Sequence, residues 1–356
     1  MERTAELELV AWHSRRQQHV QTSSRLFVAA VLACAVVSAS FATWLPLQVS
    51  IVTVFLFAGP HNWFELRYFL TRLPVRFGKS RNFFLTAFSG IFLLTIGYTS
   101  LPLLYNVGMT AGWDWANILG AWNTLLLMWL GVLVWMRGKQ KLRRDWSWAI
   151  PVAFGLISLN WLSPQFFSLA IVYLHPLVAL WFLDRHLRRT RPDWVPAYHR
   201  CLYLLPLLLG GMIWFLSQKT ALADDNGLFW RITQHAGAEL LPGLSPHMLV
   251  SVHVFLEILH YGVWLLALPL ITASASRRGP LAHNRPASIW NVKSIPLARH
   301  PRGFPKLAAT ALLLGAAVVV ILWFSFSMDY STTRDIYFTL AIAHVLAEAP
   351  FLLKMI

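Results

Sequence analysis

Apolar residues gather into ten runs along the chain, at approximately 26–44, 47–70, 83–105, 117–136, 147–163, 165–184, 201–217, 247–272, 307–326 and 335–353. Each is near the roughly 20 residues that carry a helix across a bilayer core. Backbone N–H and C=O groups find no water in that core, so a crossing segment must satisfy its own, as a helix does. The pattern predicts an all-α, polytopic integral membrane helical bundle of about ten transmembrane helices. Residues 1–25 read as a cytoplasmic N-terminal arm and 26–356 as a single transmembrane domain, with a long outer loop at 218–246 and a long basic inner loop at 273–306.

The polar segments between the runs alternate in charge. Lys and Arg collect in the N-terminal arm (Arg3, Arg15, Arg16, Arg25), in 71–82 (Arg72, Arg76, Lys79, Arg81), and in 137–146, 185–200 and 273–306. The segments 45–46, 106–116, 164, 218–246 and 327–334 are nearly free of them. Basic loops stay in the cytoplasm, so both termini are expected on that side. Trp44, Trp113, Trp115, Trp146, Trp148 and Trp194 fall where interfacial aromatics belong.

Composition agrees with the pattern. Hydrophobic residues make up 57% of the chain, charged residues 13%, and the mean hydropathy is +0.54. Soluble domains carry roughly 25% charged residues. A net charge of +15 would point to nucleic acid in a soluble protein. Here it follows from orientation and from contact with anionic lipid head groups, and no nucleic-acid partner is expected. Cys34 and Cys201 form no redox or zinc motif. The first run is expected to be retained rather than cleaved, and the expected location is a bacterial inner membrane.

Ionisable residues inside the runs change the picture, because each costs several kcal/mol unless paired or bound. They are confined to four runs: His61 and Glu65 in the second, His175 in the sixth, His253, Glu257 and His260 in the eighth, and His344 and Glu348 in the tenth. All four cross in the same direction. Counted from the outer ends, His61 lies 14 residues in, His175 10, His260 13 and His344 9. At 1.5 Å per residue those depths agree within roughly 8 Å. His61–Glu65, His253–Glu257 and His344–Glu348 are i, i+4 pairs and Glu257–His260 is i, i+3, so each pair shares a helix face. Pro60, Pro176 and Pro350 flank these positions. Prolines loosen a membrane helix where polar groups line a cavity.

Singly, a membrane histidine is more often a hydrogen-bonded packing residue than a ligand. Glu65 could pair with Arg67 or Arg72, and Asp184 and His186 read as ordinary inner-edge residues beside Arg185 and Arg188. Together the residues predict a shared site. His61, His175, His253, His260, His344 and Glu257 are its candidate metal ligands, and Glu257, Glu65 and Glu348 its candidate catalytic carboxylates. Imidazole and carboxylate together suit iron, zinc, copper or manganese. The HExxH of zinc proteases and the histidine boxes of membrane desaturases are absent from the sequence.

The stretch "GPHNWFE", residues 59–65, resembles the "PHGAxD" motif of the Brp/Blh family, bacterial membrane enzymes that cleave β-carotene to retinal. His61 falls on the family histidine and Glu65 on the acid four residues later. Asn62-Trp63 stand in place of Gly-Ala, and Glu in place of Asp. The family's closely spaced histidine pair on a later helix has no counterpart other than His253 and His260. The resemblance implies an all-helical enzyme that holds iron with histidines from several helices.

The expected function is therefore a metal-dependent, non-haem iron oxidoreductase or oxygenase acting on a lipophilic substrate: a carotenoid, polyprenoid, quinone or acyl lipid. A proton or metal-ion transporter using an intramembrane His/Glu relay is the alternative, followed by a non-catalytic assembly subunit.

Overall fold

A computed structural model describes residues 24–141, 145–219, 227–276, 292–301 and 303–356. Most of the N-terminal arm and much of the loop at 273–306 lie outside the described residues. All regular structure among the described residues is helical. The helices are α1 (Ser24–Trp44), α2 (Pro46–Arg72), α3 (Arg81–Thr99), α4 (Leu101–Met109), α5 (Trp115–Gln140), α6 (Ala149–Leu162), α7 (Pro164–Thr190), α8 (Val195–Leu216), α9 (Leu228–His235), α10 (Pro246–Gly262), α11 (Leu268–Ser276), α12 (Pro296–Arg299), α13 (Pro305–Met328) and α14 (Tyr330–Met355).

Among the described residues, eight segments are long and apolar enough to cross a membrane, which makes the chain an integral membrane protein. Two of the ten apolar runs differ from these eight for separate reasons. The run at 47–70 forms α2, 27 residues long, but Gln48, His61, Asn62 and Glu65 dilute its apolar stretch. The run at 147–163 forms α6, whose 14 residues rise about 21 Å, short of a bilayer core. A further run, 83–105, is split into α3 and α4 at Ser100, with Pro102 in the first turn of α4.

Local chemistry sets the boundaries. Proline, which has no N–H to leave unsatisfied, opens α2, α7, α10 and α13. Asp114 and Asp329 cap α5 and α14, accepting the backbone N–H of Asn117 at 2.7 Å and of Thr332 at 3.1 Å. One-residue links at Leu45, Ser163 and Asp329 turn α1 into α2, α6 into α7 and α13 into α14. Such short links force antiparallel hairpins.

Lipid as solvent inverts the usual distribution of side chains. Phe92, Leu313 and Phe324 are each more than 60% exposed, while His61, Glu65 and Glu348 are at most 2% exposed. Helix α10 is central, touching α2, α7, α8 and α9. Close packing relies on small residues and polar contacts. Gly90 leaves the space that the Trp129 indole fills, and that indole donates to the Thr86 carbonyl at 3.1 Å. Asn123 and Asn160 join α5 to α6 through a 2.7 Å bond, and Asn160 donates on to the Gly120 carbonyl at 2.9 Å. Trp194, expected at an interface, is instead buried and stacked on Phe27.

Candidate metal centre

Four long helices bring their mid-length histidines to one place. His61 comes from α2, His175 from α7, His260 from α10 and His344 from α14. Ring centroids lie 5.3 Å apart for His61–His260, 5.2 Å for His61–His344, 4.6 Å for His175–His260 and 5.0 Å for His175–His344. The i, i+4 partners of two of these histidines, Glu65 and Glu348, join them. One nitrogen or oxygen each from His61, Glu65, His260 and His344 can be chosen so that all lie within 4.8 Å of one another. The same holds for His175, His260 and Glu348, so His260 belongs to both groups.

The hydrogen bonds explain how the rings are aimed. Pro60 offers no N–H to the helix ladder, and beside it the His61 Nδ1 turns back to donate to the Phe57 carbonyl at 2.9 Å. That bond fixes the tautomer and leaves Nε2 with its lone pair free. His175 donates from Nδ1 to Glu348 Oε2 at 3.0 Å, which leaves its Nε2 lone pair to accept from His344 in the absence of an ion. The carboxylate–histidine arrangement is the one that orients metal-binding imidazoles. His344 Nε2 lies 3.2 Å from His175 Nε2. Nitrogens bound about 2.1 Å from a common metal are separated by roughly 3.0–3.4 Å, so the pair is spaced as two ligands would be.

Several buried polar atoms here have no partner. Both carboxylate oxygens of Glu65, both ring nitrogens of His260, Nδ1 of His344 and Oε1 of Glu348 are buried without a hydrogen bond. Leaving such an atom unsatisfied costs about 1–3 kcal/mol, and more for a charged group. Glu65 forms no ion pair with Arg67 or Arg72; Arg72 is turned instead to Tyr68 and His186. Two overlapping groups, of four and three residues that each offer one N or O atom, fit a bound metal ion, and the donor set is that of iron, zinc, copper or manganese rather than of a thiolate metal. Cys34 and Cys201 take no part.

A cavity of 640 Å³ opens onto the cluster. Its walls include His61, His175, His260 and His344 and continue past His253 and Glu257 to α9 and the start of α14. His253 and Glu257 thus line the same cavity but are not among the side chains whose ligand atoms converge. His253 packs against Tyr173 and His235, with its Nδ1 3.8 Å from Glu257 Oε2. Beyond the cluster, toward Arg72, the core closes with Trp264, Phe182, Phe69 and Phe351, the last two stacked 4.2 Å apart. A π turn at Val263–Ala267 interrupts the helix just after His260 and carries Trp264. Such turns recur at functional sites.

Past that aromatic layer lies a second polar group. His186 accepts from Arg72 at 3.0 Å and meets Thr272 at 3.3 Å. Asp184 accepts from Arg188 at 2.8 Å and from His199 at 2.7 Å. Every ring nitrogen and carboxylate oxygen of His186 and Asp184 therefore has a partner, which makes this group structural. At the other end, His247 is bonded to the Thr43 carbonyl at 2.9 Å.

Two cavity residues were not expected from the sequence. His235 ends the eight-residue helix α9, within the loop 218–246, and stacks against Phe338 at 4.3 Å. Arg334 lies in a segment otherwise nearly free of basic residues and is 3% exposed. The only available signal was Arg334 itself, a guanidinium at the edge of an apolar run. Compared with protein-family models, curated proteins and solved structures, the chain has no match.

Proposed function

We propose that this protein is a membrane-embedded, metal-dependent oxidoreductase that acts on a lipophilic substrate, with non-haem iron as the metal. The observation that carries the reading is the convergence of His61, Glu65, His260, His344, His175 and Glu348 at a 640 Å³ cavity, with Glu65 and His260 buried and without a hydrogen bond on either polar atom. Iron, when bound, supplies one-electron and dioxygen chemistry. The chain's own residues do the rest. The Phe57 carbonyl and Glu348 orient His61 and His175, Glu65 contributes charge, and the aromatic layer around Trp264 keeps water from the far side. The choice of iron over zinc or copper follows the resemblance of residues 59–65 to the Brp/Blh motif. A carotenoid, polyprenoid, quinone or acyl lipid has the apolarity for such a site.

The proposal includes ten membrane segments, with α2 and α6 joining the eight long apolar ones, and both termini in the cytoplasm of a bacterial cell. The mouth of the cavity, at α9 and the start of α14, then faces outward. A transport reading is weaker because polar groups approach the cluster from one end only, while aromatic rings separate it from the His186 group. An assembly role leaves the unpaired donors unexplained.

The test is the metal content of detergent-purified protein, beside a His61→Ala/His260→Ala double variant that elutes as a single folded species. About one or two iron atoms per chain are expected, lost in the variant. Zinc or copper in their place would overturn iron, and the absence of any metal after metal-replete expression would overturn the metalloenzyme.

A further inference from the structure

Two arginines line this cavity, and Arg334 is the one whose ion pair is long. Its side chain is almost fully buried and stacks over Phe338 at 4.7 Å, and its Nε is buried with no hydrogen-bond partner among the described residues. The nearest carboxylate oxygen, on Asp335, is 4.0 Å away, and the Asp335 carboxylate is already bonded to Arg231. Glu257 lies in the same cavity wall but forms no ion pair with Arg334. A guanidinium carries five N–H donors in a planar fork, and a buried one whose Nε has no acceptor is costly. A planar anion that accepts two of them side by side removes that cost.

From these observations we infer that the cavity binds a long-chain monocarboxylate, with its carboxylate on Arg334 and its hydrocarbon tail extending to the histidine cluster. The inference deepens the proposed function and rests on it for the chemistry, though not for the binding. Charge selects a monoanion: Arg334 has only a 4.0 Å contact to Asp335, Arg231 is matched by that same Asp335, and Glu257 lines the same space and repels further negative charge. Apolar side chains suited to a tail line the cavity as well, among them Ile171, Val172, Ile342, Val345 and Trp122. Its 640 Å³ falls within the 300–1,000 Å³ usual for small-molecule pockets.

Length adds a constraint. Arg334 and His344 lie ten residues apart on α14, so about 15 Å separates them along the axis. An extended chain of roughly a dozen carbons covers that rise of 1.5 Å per residue. The carbons presented to the cluster are therefore in the middle or far part of an acyl chain, remote from its carboxylate.

Binding of radiolabelled palmitate to the nanodisc-embedded protein, with 1-hexadecanol and hexadecyl phosphate as competitors, tests this directly. Palmitate is expected to bind at least tenfold more tightly than hexadecanol, with the preference lost in Arg334→Met and partly kept in Arg334→Lys. The Lys variant guards against a Met variant that fails to fold. An equal affinity for acid and alcohol in the wild type, or a preference that survives Arg334→Met, would overturn the inference. Tenfold tighter binding of hexadecyl phosphate would overturn the choice of carboxylate. Repeating the measurement on His260→Ala separates the two readings: the acid preference persists there whether or not the metal proposal stands.

Discussion

Two buried polar clusters lie on either side of one aromatic layer, and both are built from histidine and carboxylate side chains on membrane helices. In the cluster around His186 and Asp184, each ring nitrogen and carboxylate oxygen has a partner among Arg72, Thr272, Arg188 and His199. In the cluster around His260, Glu65 has no partner on either oxygen, and His260 none on either nitrogen. Residue type and burial do not separate the two. Hydrogen-bond state does. A polar group satisfied by its own protein holds helices together, whereas one left open at a cavity is available to something else.

The largest effect is expected from replacing one histidine in each cluster. His260→Ala removes the ligand common to both donor groups and should lower bound metal at least tenfold. It costs the metal-free protein little beyond lost packing, since no hydrogen bond is broken. His186→Ala should do the reverse. It strips partners from Arg72 and Thr272, costing about 1–3 kcal/mol in unfolding free energy, and leaves metal content unchanged. Metal analysis and detergent melting of both variants check the pair. A matched loss of metal in both would dissolve the distinction.

A finer cut lies within the open cluster, at Glu348, which orients His175 and also carries an unpartnered oxygen. Removing groups that orient metal-binding histidines commonly costs 10–100-fold in metal affinity, so Glu348→Ala should weaken metal binding by about that factor. Glu348→Gln keeps an acceptor for His175 Nδ1 and loses the charge. Recovery of most of the affinity in Gln, measured by chelator competition, identifies an orienting role. Equal losses in Ala and Gln identify a direct ligand.

Much of this was legible along the chain. Eight of the ten apolar runs coincide with helices long and apolar enough to cross a membrane, and the pairs His61–Glu65 and His344–Glu348 each share a helix face because four residues make about one helical turn. His253–Glu257 has the same spacing and sits elsewhere, because seven residues before His260 is two turns, about 10 Å further along α10. Periodicity fixes a face, not a depth. His235 and Arg334 were not legible at all. Each reaches the cavity through the packing of α9 and α14 against their neighbours, and no local pattern encodes that contact. The break of α3 from α4 at Ser100 was hidden inside an unbroken apolar run, since composition predicts membrane preference better than helix continuity.

The smallest expected effect tests the comparison from its satisfied side. Asp184→Asn removes the charge that Arg188 and His199 share while keeping an acceptor in place. Asp184 is only 10% accessible, but Arg188 and His199 reach it from the solvent-facing side, with 49% and 38% of their side chains accessible, so water and ions screen both pairs. Exposed ion pairs contribute about 0.2–1 kcal/mol, and a loss within that range is expected, visible as a small fall in melting temperature that shrinks further in high salt. Metal content and palmitate binding should not move, because the aromatic layer of Phe69, Phe182, Trp264 and Phe351 stands between Asp184 and the cavity. A change in either would mean that the layer transmits as well as separates. The two clusters would then be parts of one polar pathway through the membrane, and the case for conduction over chemistry would reopen.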